Sequence, residues 1–355
     1  MKAARIHGLR DVRVDEIEEP SLRPGTIKVK VAYSGICGSD LGYFLHGAPT
    51  PPAGALLDEV GPRVLGHEFA GHVVAASEDV DTVQVGDLVA VRPNVACGDC
   101  LPCRQNHPQV CTRRAAVGLH GGGGGFSEYV VVDASQAFVM PSGVTPTEAA
   151  LIEPISVAWH AVSRVTLRPD TTALVVGAGA IGLGVMMALK SQGVEKIAAV
   201  EPNQLRQQAA RSLGVDVLGD DASTLLDNLV GENANGFDLV FDASGAGQEV
   251  FDAILVSLQP GGTAMIVAVY HTAVTWSPTA VIRNEITITG SYGYWDEDYR
   301  AVIEAISTKT IDPGLLVTKI VPLHDIVSGA FLHLTEGPGK AEDIKVLVSP
   351  ASVSS

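Results

Sequence analysis

Gly177-Ala178-Gly179-Ala180-Ile181-Gly182 stands between a β-branched run, Leu174-Val175-Val176, and a stretch of helical length, Ala180–Gln192. A strand that turns on glycines into a helix leaves few folds open. The first glycine makes the tight turn. The second lets backbone approach a pyrophosphate, and the third lets helix and strand pack closely. Amides at the helix N-terminus then face the anion. Gly177, Gly179, Ile181 and Gly182 are therefore candidate cofactor residues. Glu201 follows nineteen residues after Gly182 at the end of the next apolar run, Ile197-Ala198-Ala199-Val200. A carboxylate there accepts hydrogen bonds from an adenosine ribose and repels a 2′-phosphate, which favours NAD over NADP. Arg206, five residues on, could cover the adenine or serve NADP.

The rhythm around this motif extends the reading. Leu239-Val240-Phe241, Met265-Ile266-Val267-Ala268-Val269 and Ile286-Thr287-Ile288-Thr289 read as further strands, and Gln204–Leu213 and Gln248–Leu258 as helices between strands. Strands alternating with helices predict βαβ units on a doubly wound parallel sheet. Before about Val157 the pattern is different. Ile27-Lys28-Val29-Lys30-Val31 alternates, Leu88-Val89-Ala90-Val91 and Tyr129-Val130-Val131-Val132 are short β-branched runs, and Gly and Pro punctuate them. That predicts a mostly β region. Residues 47–64 form a long loop, and loops of that length in compact domains are usually functional. Tyr299–Ser307 reads as helix and Ile344-Lys345-Val346-Leu347-Val348 as a terminal strand.

Five cysteines occur, four of them as Cys97-x2-Cys100-x2-Cys103-x7-Cys111. Four closely spaced thiolates suit a tetrahedral zinc closed to water, although sulfur softness alone would also permit an iron–sulfur cluster. A dispersed set is weaker. Cys37, His67 and Glu153 supply one thiolate, one imidazole and one carboxylate, which would leave a fourth position of a catalytic zinc open. Each also has a plain structural reading, and spacing alone does not join them.

Composition excludes other classes. Forty acidic against 24 basic residues give a formal charge of −16 over 355 residues. Such a chain lacks the basic stripe that holds nucleic acid or an anionic membrane. Thr171–Leu189 is uncharged and nearly long enough to span a bilayer. Its four glycines and the flanking Asp170 and Lys190 fit the strand–turn–helix better. The first residues carry no apolar run of signal-peptide type, and the packed odd cysteine count suits a metal site, so the expected compartment is the reducing cytoplasm.

Taken in order, Gly66-His67-Glu68, the four-cysteine lobe, Gly-Gly-Phe-Ser-Glu-Tyr at 124–129 and the glycine motif resemble the zinc-dependent medium-chain alcohol dehydrogenases. Glu153-Pro154 and Val200-Glu201-Pro202 are most similar to the polyol and 2,3-butanediol dehydrogenase branch. The resemblance implies an α/β chain. A GroES-like β-rich catalytic domain would take 1–156 and 305–355, with a structural zinc lobe at 95–113. A Rossmann NAD-binding domain would take 157–304, and the active site would lie in the cleft between the domains. It implies two zinc ions per chain: a catalytic one on Cys37, His67 and Glu153, and a structural one on Cys97, Cys100, Cys103 and Cys111. Glu68 would be a neighbour able to visit the metal, and Asp40 would orient His67. Ser39 would accept the proton of the alcohol. The implied reaction is reversible oxidation of a secondary alcohol or vicinal diol to the ketone, most closely 2,3-butanediol/acetoin. Threonine, sorbitol and other polyol dehydrogenases stay open as alternatives, as does a non-catalytic NAD-binding protein on this scaffold. The implied partners are a small alcohol or ketone and further copies of the chain, as homodimer or homotetramer. One departure from the family pattern stands out. Ser39-Asp40-Leu41-Gly42 has glycine where a relay histidine is usual; His46, one helical turn beyond Gly42, is the candidate to take up that relay, with Ser39 passing its proton by way of the cofactor ribose hydroxyl to water or to His46.

Overall fold

The computed structural model describes residues 1–47, 52–57, 61–219 and 236–350. The expected 47–64 loop lies partly outside them, and its last two residues, Arg63–Val64, form a short strand. The chain divides into two compact units, Met1–Glu153 with Trp295–Ser355, and Pro154–Tyr294.

The second unit is a six-stranded parallel sheet. Its order is Asp216–Gly219, Lys196–Val200, Thr172–Val176, Phe237–Asp242, Leu258–Ile266 and Thr287–Gly290. Ala173, Leu174 and Val175 are fully buried, as near-continuous apolar strands covered on both faces must be. Helices Ala180–Ser191, Gln204–Ser212 and Gln248–Val256 supply the cover. Chain order reverses between Thr172–Val176 and Phe237–Asp242. The crevice outside the carboxyl ends of these two strands is where ligands bind in such sheets.

Two expectations shift here. The apolar run 265–269 reads as one strand, but the strand is Leu258–Ile266. The amides of Val267 and Ala268 both turn onto the Asp242 carbonyl, at 2.9 and 3.0 Å, so the chain leaves the ladder there. The expected division at 304/305 also differs from the contact boundary at 294/295. The helix Asp296–Ser307 packs with the first unit, where Tyr299 is fully buried with its ring 4.8 Å from that of Phe138.

In the first unit, the central strand Thr26–Gly35 buries Ile27, Val29 and Val31 and turns Lys28 and Lys30 outward, as the alternation predicts. It pairs antiparallel with Glu68–Ala76, register Gly35 with Glu68. It also pairs antiparallel with Lys345–Ser349, register Gly35 with Leu347. Two strand ends and the middle of a third strand therefore meet at Gly35, and the residues near this point are Cys37, His67, Glu68 and Lys345. The helix Gly38–His46 begins directly after Cys37.

Candidate metal centre and dinucleotide cradle

The cysteine lobe is closed at its base by the short ladder Asn94–Val95 with Ala115–Ala116. Its sulfurs lie 3.3 Å (Cys100–Cys103), 3.4 Å (Cys97–Cys111), 3.8 Å (Cys100–Cys111) and 3.9 Å (Cys97–Cys103) apart. Four sulfurs each ~2.3 Å from one zinc would lie about 3.8 Å apart, so the set fits a tetrahedral ion. Backbone amides already point at these sulfurs. Cys97 N and Arg113 N donate to Cys111 Sγ at 3.4 and 3.3 Å, and Cys100 N donates to Cys97 Sγ at 3.4 Å. Such donors stabilise thiolate. Amides of Cys103 and Thr112 bring the Cys100 thiol down to about 6, whereas burial pushes Cys103 up to about 12 and also raises Cys111, so an ion would have to displace the protons of those two.

The second cluster forms at the meeting strand ends. Ligand atoms of Cys37, His67 and Glu68 all lie within 4.8 Å of one another. His67 and Glu68 are buried. Glu153 is also buried, at the start of the helix Ile152–Ser163, but it is outside that close group. Asp40 orients the assembly from the first helical turn. One carboxylate oxygen accepts from Cys37 N at 2.9 Å, and the other lies 3.6 Å from His67 Nδ1. Ser39 Oγ sits 3.4 Å from His67 Nε2. Burial opposes charge on His67, yet the neighbouring Asp40 and Cys37 hold its pKa well above the usual histidine range. This is a pocket of anions that favours a positive charge.

Lys345 answers that charge and was invisible in the sequence. Its ammonium donates to both oxygens of Glu68, at 2.8 and 2.7 Å, and to the Ile36 carbonyl at 3.0 Å. All three of its protons are used. Burial opposes its protonation, but Glu68 and Cys37 outweigh that and raise its pKa. In the pattern Ile344-Lys345-Val346 a lysine reads as the wet face of an alternating strand. Only the register shows that it points inward.

His46 ends the helix whose first turn holds Ser39, and it is exposed. Seven residues at ~1.5 Å rise put it about 10 Å along the axis from Ser39, so a proton does not pass directly between them. Among the described residues a Cβ at Gly42 would meet nothing within 4 Å, so the backbone leaves room for a side chain to start there.

In the second unit the glycine motif has the cradle geometry. Gly177 has φ +92°, and a Cβ at Gly182 would stand 1.8 Å from the Gly177 carbonyl oxygen. A Cβ at Gly179 would meet nothing, which leaves the backbone open to a phosphate. Ile181 lies in the first turn of the helix. Glu201 is buried; Oε2 accepts from Ala178 N at 2.6 Å and Oε1 from Asn203 N at 2.9 Å. It therefore pins the glycine turn as well as ending its strand. Arg206 sits in the first turn of the next helix, whose N-cap Asn203 accepts from its amide at 3.1 Å.

Comparison with known proteins agrees with this geometry. Residues 23–142 match the alcohol dehydrogenase GroES-like domain, and 180–308 match the zinc-binding dehydrogenase family. The chain belongs to the zinc-dependent medium-chain alcohol dehydrogenases and is an oxidoreductase acting on CH–OH donors. Within that family it stands near the butanediol and polyol dehydrogenases. It is 37% identical to the (R,R)-butanediol dehydrogenase of Bacillus subtilis, over 99% of this chain and 100% of that protein. It is 31% identical to the sorbitol dehydrogenase of the same organism, over 99% and 97%. The solved 2R,3R-butanediol dehydrogenase of B. subtilis superposes with a TM-score of 0.88 at 34% identity, covering 99% of both chains. No helix among the described residues is long and apolar enough to cross a membrane.

Proposed function

We propose that the protein catalyses zinc- and NAD-dependent oxidation of a secondary alcohol or vicinal diol, of the 2,3-butanediol/acetoin type, and the reverse reduction. The observation that carries this reading is the convergence of Cys37, His67 and Glu68 beside Ser39. Similarity to the butanediol dehydrogenases over the full chain supports the diol. The sorbitol dehydrogenase relationship keeps a longer polyol as the second reading. A panel of diols and sugar alcohols assayed with NAD and NADP separates the two.

Cys37 and His67 with one carboxylate would hold zinc, which supplies Lewis acidity to the hydroxyl being oxidised. Glu68 lies in the close group, but both its oxygens accept from Lys345, so Glu153, buried at the start of Ile152–Ser163, remains the carboxylate we assign to that place. NAD would accept the hydride, and the chain's task is orientation. Ser39 accepts the hydroxyl proton, and the room at Gly42 admits water to carry it on. Asp40 fixes the His67 ring.

Glu201 is the test of the nucleotide. Glu201→Ala removes both the ribose acceptor and the anchor of Ala178 N. NADH affinity should fall about tenfold, as expected for one charge-assisted hydrogen bond, and the gap to NADPH should narrow. Fluorescence titration with both nucleotides measures this. A wild type that already prefers NADPH would refute the assignment.

The chain should also self-associate. Among the described residues Thr287–Gly290 is an edge strand paired on one side only. Near it in sequence, Trp276, Ile282 and Tyr292 are 48, 73 and 55% exposed. An apolar edge of this kind is hidden by pairing with a second copy. Light scattering should give two or four times 36.9 kDa; the monomer mass at working concentration would count against it.

A further inference from the structure

Asp242 ends the fourth strand of the parallel sheet at the point where chain order reverses, and it is fully buried. Its Oδ1 accepts from Ser244 N at 2.9 Å, Ser244 Oγ at 2.8 Å and Gly245 N at 3.1 Å. Its Oδ2 accepts from Tyr270 Oη at 2.5 Å. These donors keep a buried anion satisfied at the end of the sheet where a pyrophosphate would bind. The loop they shape touches the cradle. A Cβ at Gly177 would stand 3.2 Å from both Ser244 N and Ser244 Cβ.

Tyr270 belongs to the segment 267–275, which leaves the sheet at Val267. Beyond the amides of Val267 and Ala268 on the Asp242 carbonyl, side chains tie the segment at two places. Near its start is the Tyr270 hydroxyl, whose ring also packs edge-on against Phe251 at 6.2 Å. At its far end Gln248 Nε2 donates to the Thr275 carbonyl, and Thr275 N donates to Gln248 Oε1, both at 2.8 Å. Val269 sits beside the first tie, and a Cβ at Gly245 would stand 2.9 Å from its carbonyl oxygen. Gly245 has φ +59°, so loop and segment meet where only glycine fits easily.

We propose that Tyr270 is a positioning residue for the dinucleotide: its hydroxyl latches segment 267–275 to Asp242 and so holds the 243–245 loop against Gly177. This rests on the reading that the second unit binds NAD. Removing the hydroxyl leaves Oδ2 of the buried carboxylate without its donor and loosens segment 267–275 near its start, so the contact that holds the 243–245 loop against Gly177 weakens.

The test is Tyr270→Phe, which deletes one atom and keeps the ring on Phe251. The NADH dissociation constant, read by fluorescence, should rise five- to tenfold. Backbone amides of 268–275 should exchange faster in the cofactor-free protein, while zinc content stays unchanged. Gln248→Ala loosens only the far tie; it should speed exchange near Thr275 and leave the NADH constant within twofold. If Tyr270→Phe is insoluble, Asp242→Asn weakens the same contact from the other side and is measured identically. An unchanged NADH constant in the latch variant overturns the proposal. So does an equal loss in Gln248→Ala, because general loosening would then be the cause. If wild type binds neither NADH nor NADPH, the dinucleotide reading falls with it. Binding by wild type with no effect of Tyr270→Phe removes only the latch.

Discussion

A Cys37→Ser protein is expected to retain one zinc per chain instead of two and to lose about 10³-fold or more in alcohol oxidation, since Lewis-acid activation is worth several kcal/mol. The serine hydroxyl occupies nearly the same space, so Ile36 O, Glu68 and Lys345 keep their contacts and the fold survives. What is lost is a thiolate. A neutral hydroxyl is a far poorer zinc ligand. Cys37 lies in the first unit, so NADH binding by the second should be unaffected. That separates loss of metal from general damage. Metal analysis and the assay together decide it. Unchanged zinc with activity within tenfold of wild type would remove Cys37 from the site. The same measurement on Glu68→Gln and Glu153→Gln shows which carboxylate completes the set.

Cys100→Ser should act on stability rather than chemistry. The lobe from Cys97 to Cys111 contains little apolar material: Leu101 is 58% exposed and only Cys111 of the four cysteines is buried. It has no core of its own to replace the ion. The expected result is loss of one zinc and a fall in melting temperature of about 10 °C or more, because binding energy of a structural zinc is folding energy. Calorimetry with metal analysis checks it. A variant with wild-type zinc content and melting temperature would mean that the four sulfurs hold no ion.

Legibility differed sharply between the parts. The parallel sheet could be read because its strands are apolar runs and its first turn needs glycine for steric reasons. The cysteine lobe could be read because its ligands are local. The group of Cys37, His67 and Glu68 could be joined only through family resemblance, since its members come together by strand register rather than by spacing. The helix Gly38–His46 shows why local propensity fails there. It holds two glycines, Ser39 and Asp40, which argue against helix. It forms because Asp40 accepts from Cys37 N in the first turn and because Tyr43 and Phe44 are buried. Lys345, Asp242 and Tyr270 carried no signal. A lysine in a strand reads as wet, and an aspartate or tyrosine after an apolar run reads as an ordinary strand end.

Lys345 also sets an order in time. It is 277 residues beyond Glu68 and 309 beyond Ile36, the two groups its ammonium joins. At ~5–20 residues per second of synthesis, Glu68 leaves the ribosome about 14 to 55 seconds before its counter-ion does. Throughout that interval the central strand Thr26–Gly35 lacks the neighbour that Lys345–Ser349 provides, and a carboxylate destined for burial has no cation. The cysteine lobe waits for nothing, since its four sulfurs emerge within fifteen residues. The lobe can therefore assemble without the C-terminal strand, whereas the Glu68 pocket lacks its cation until that strand arrives.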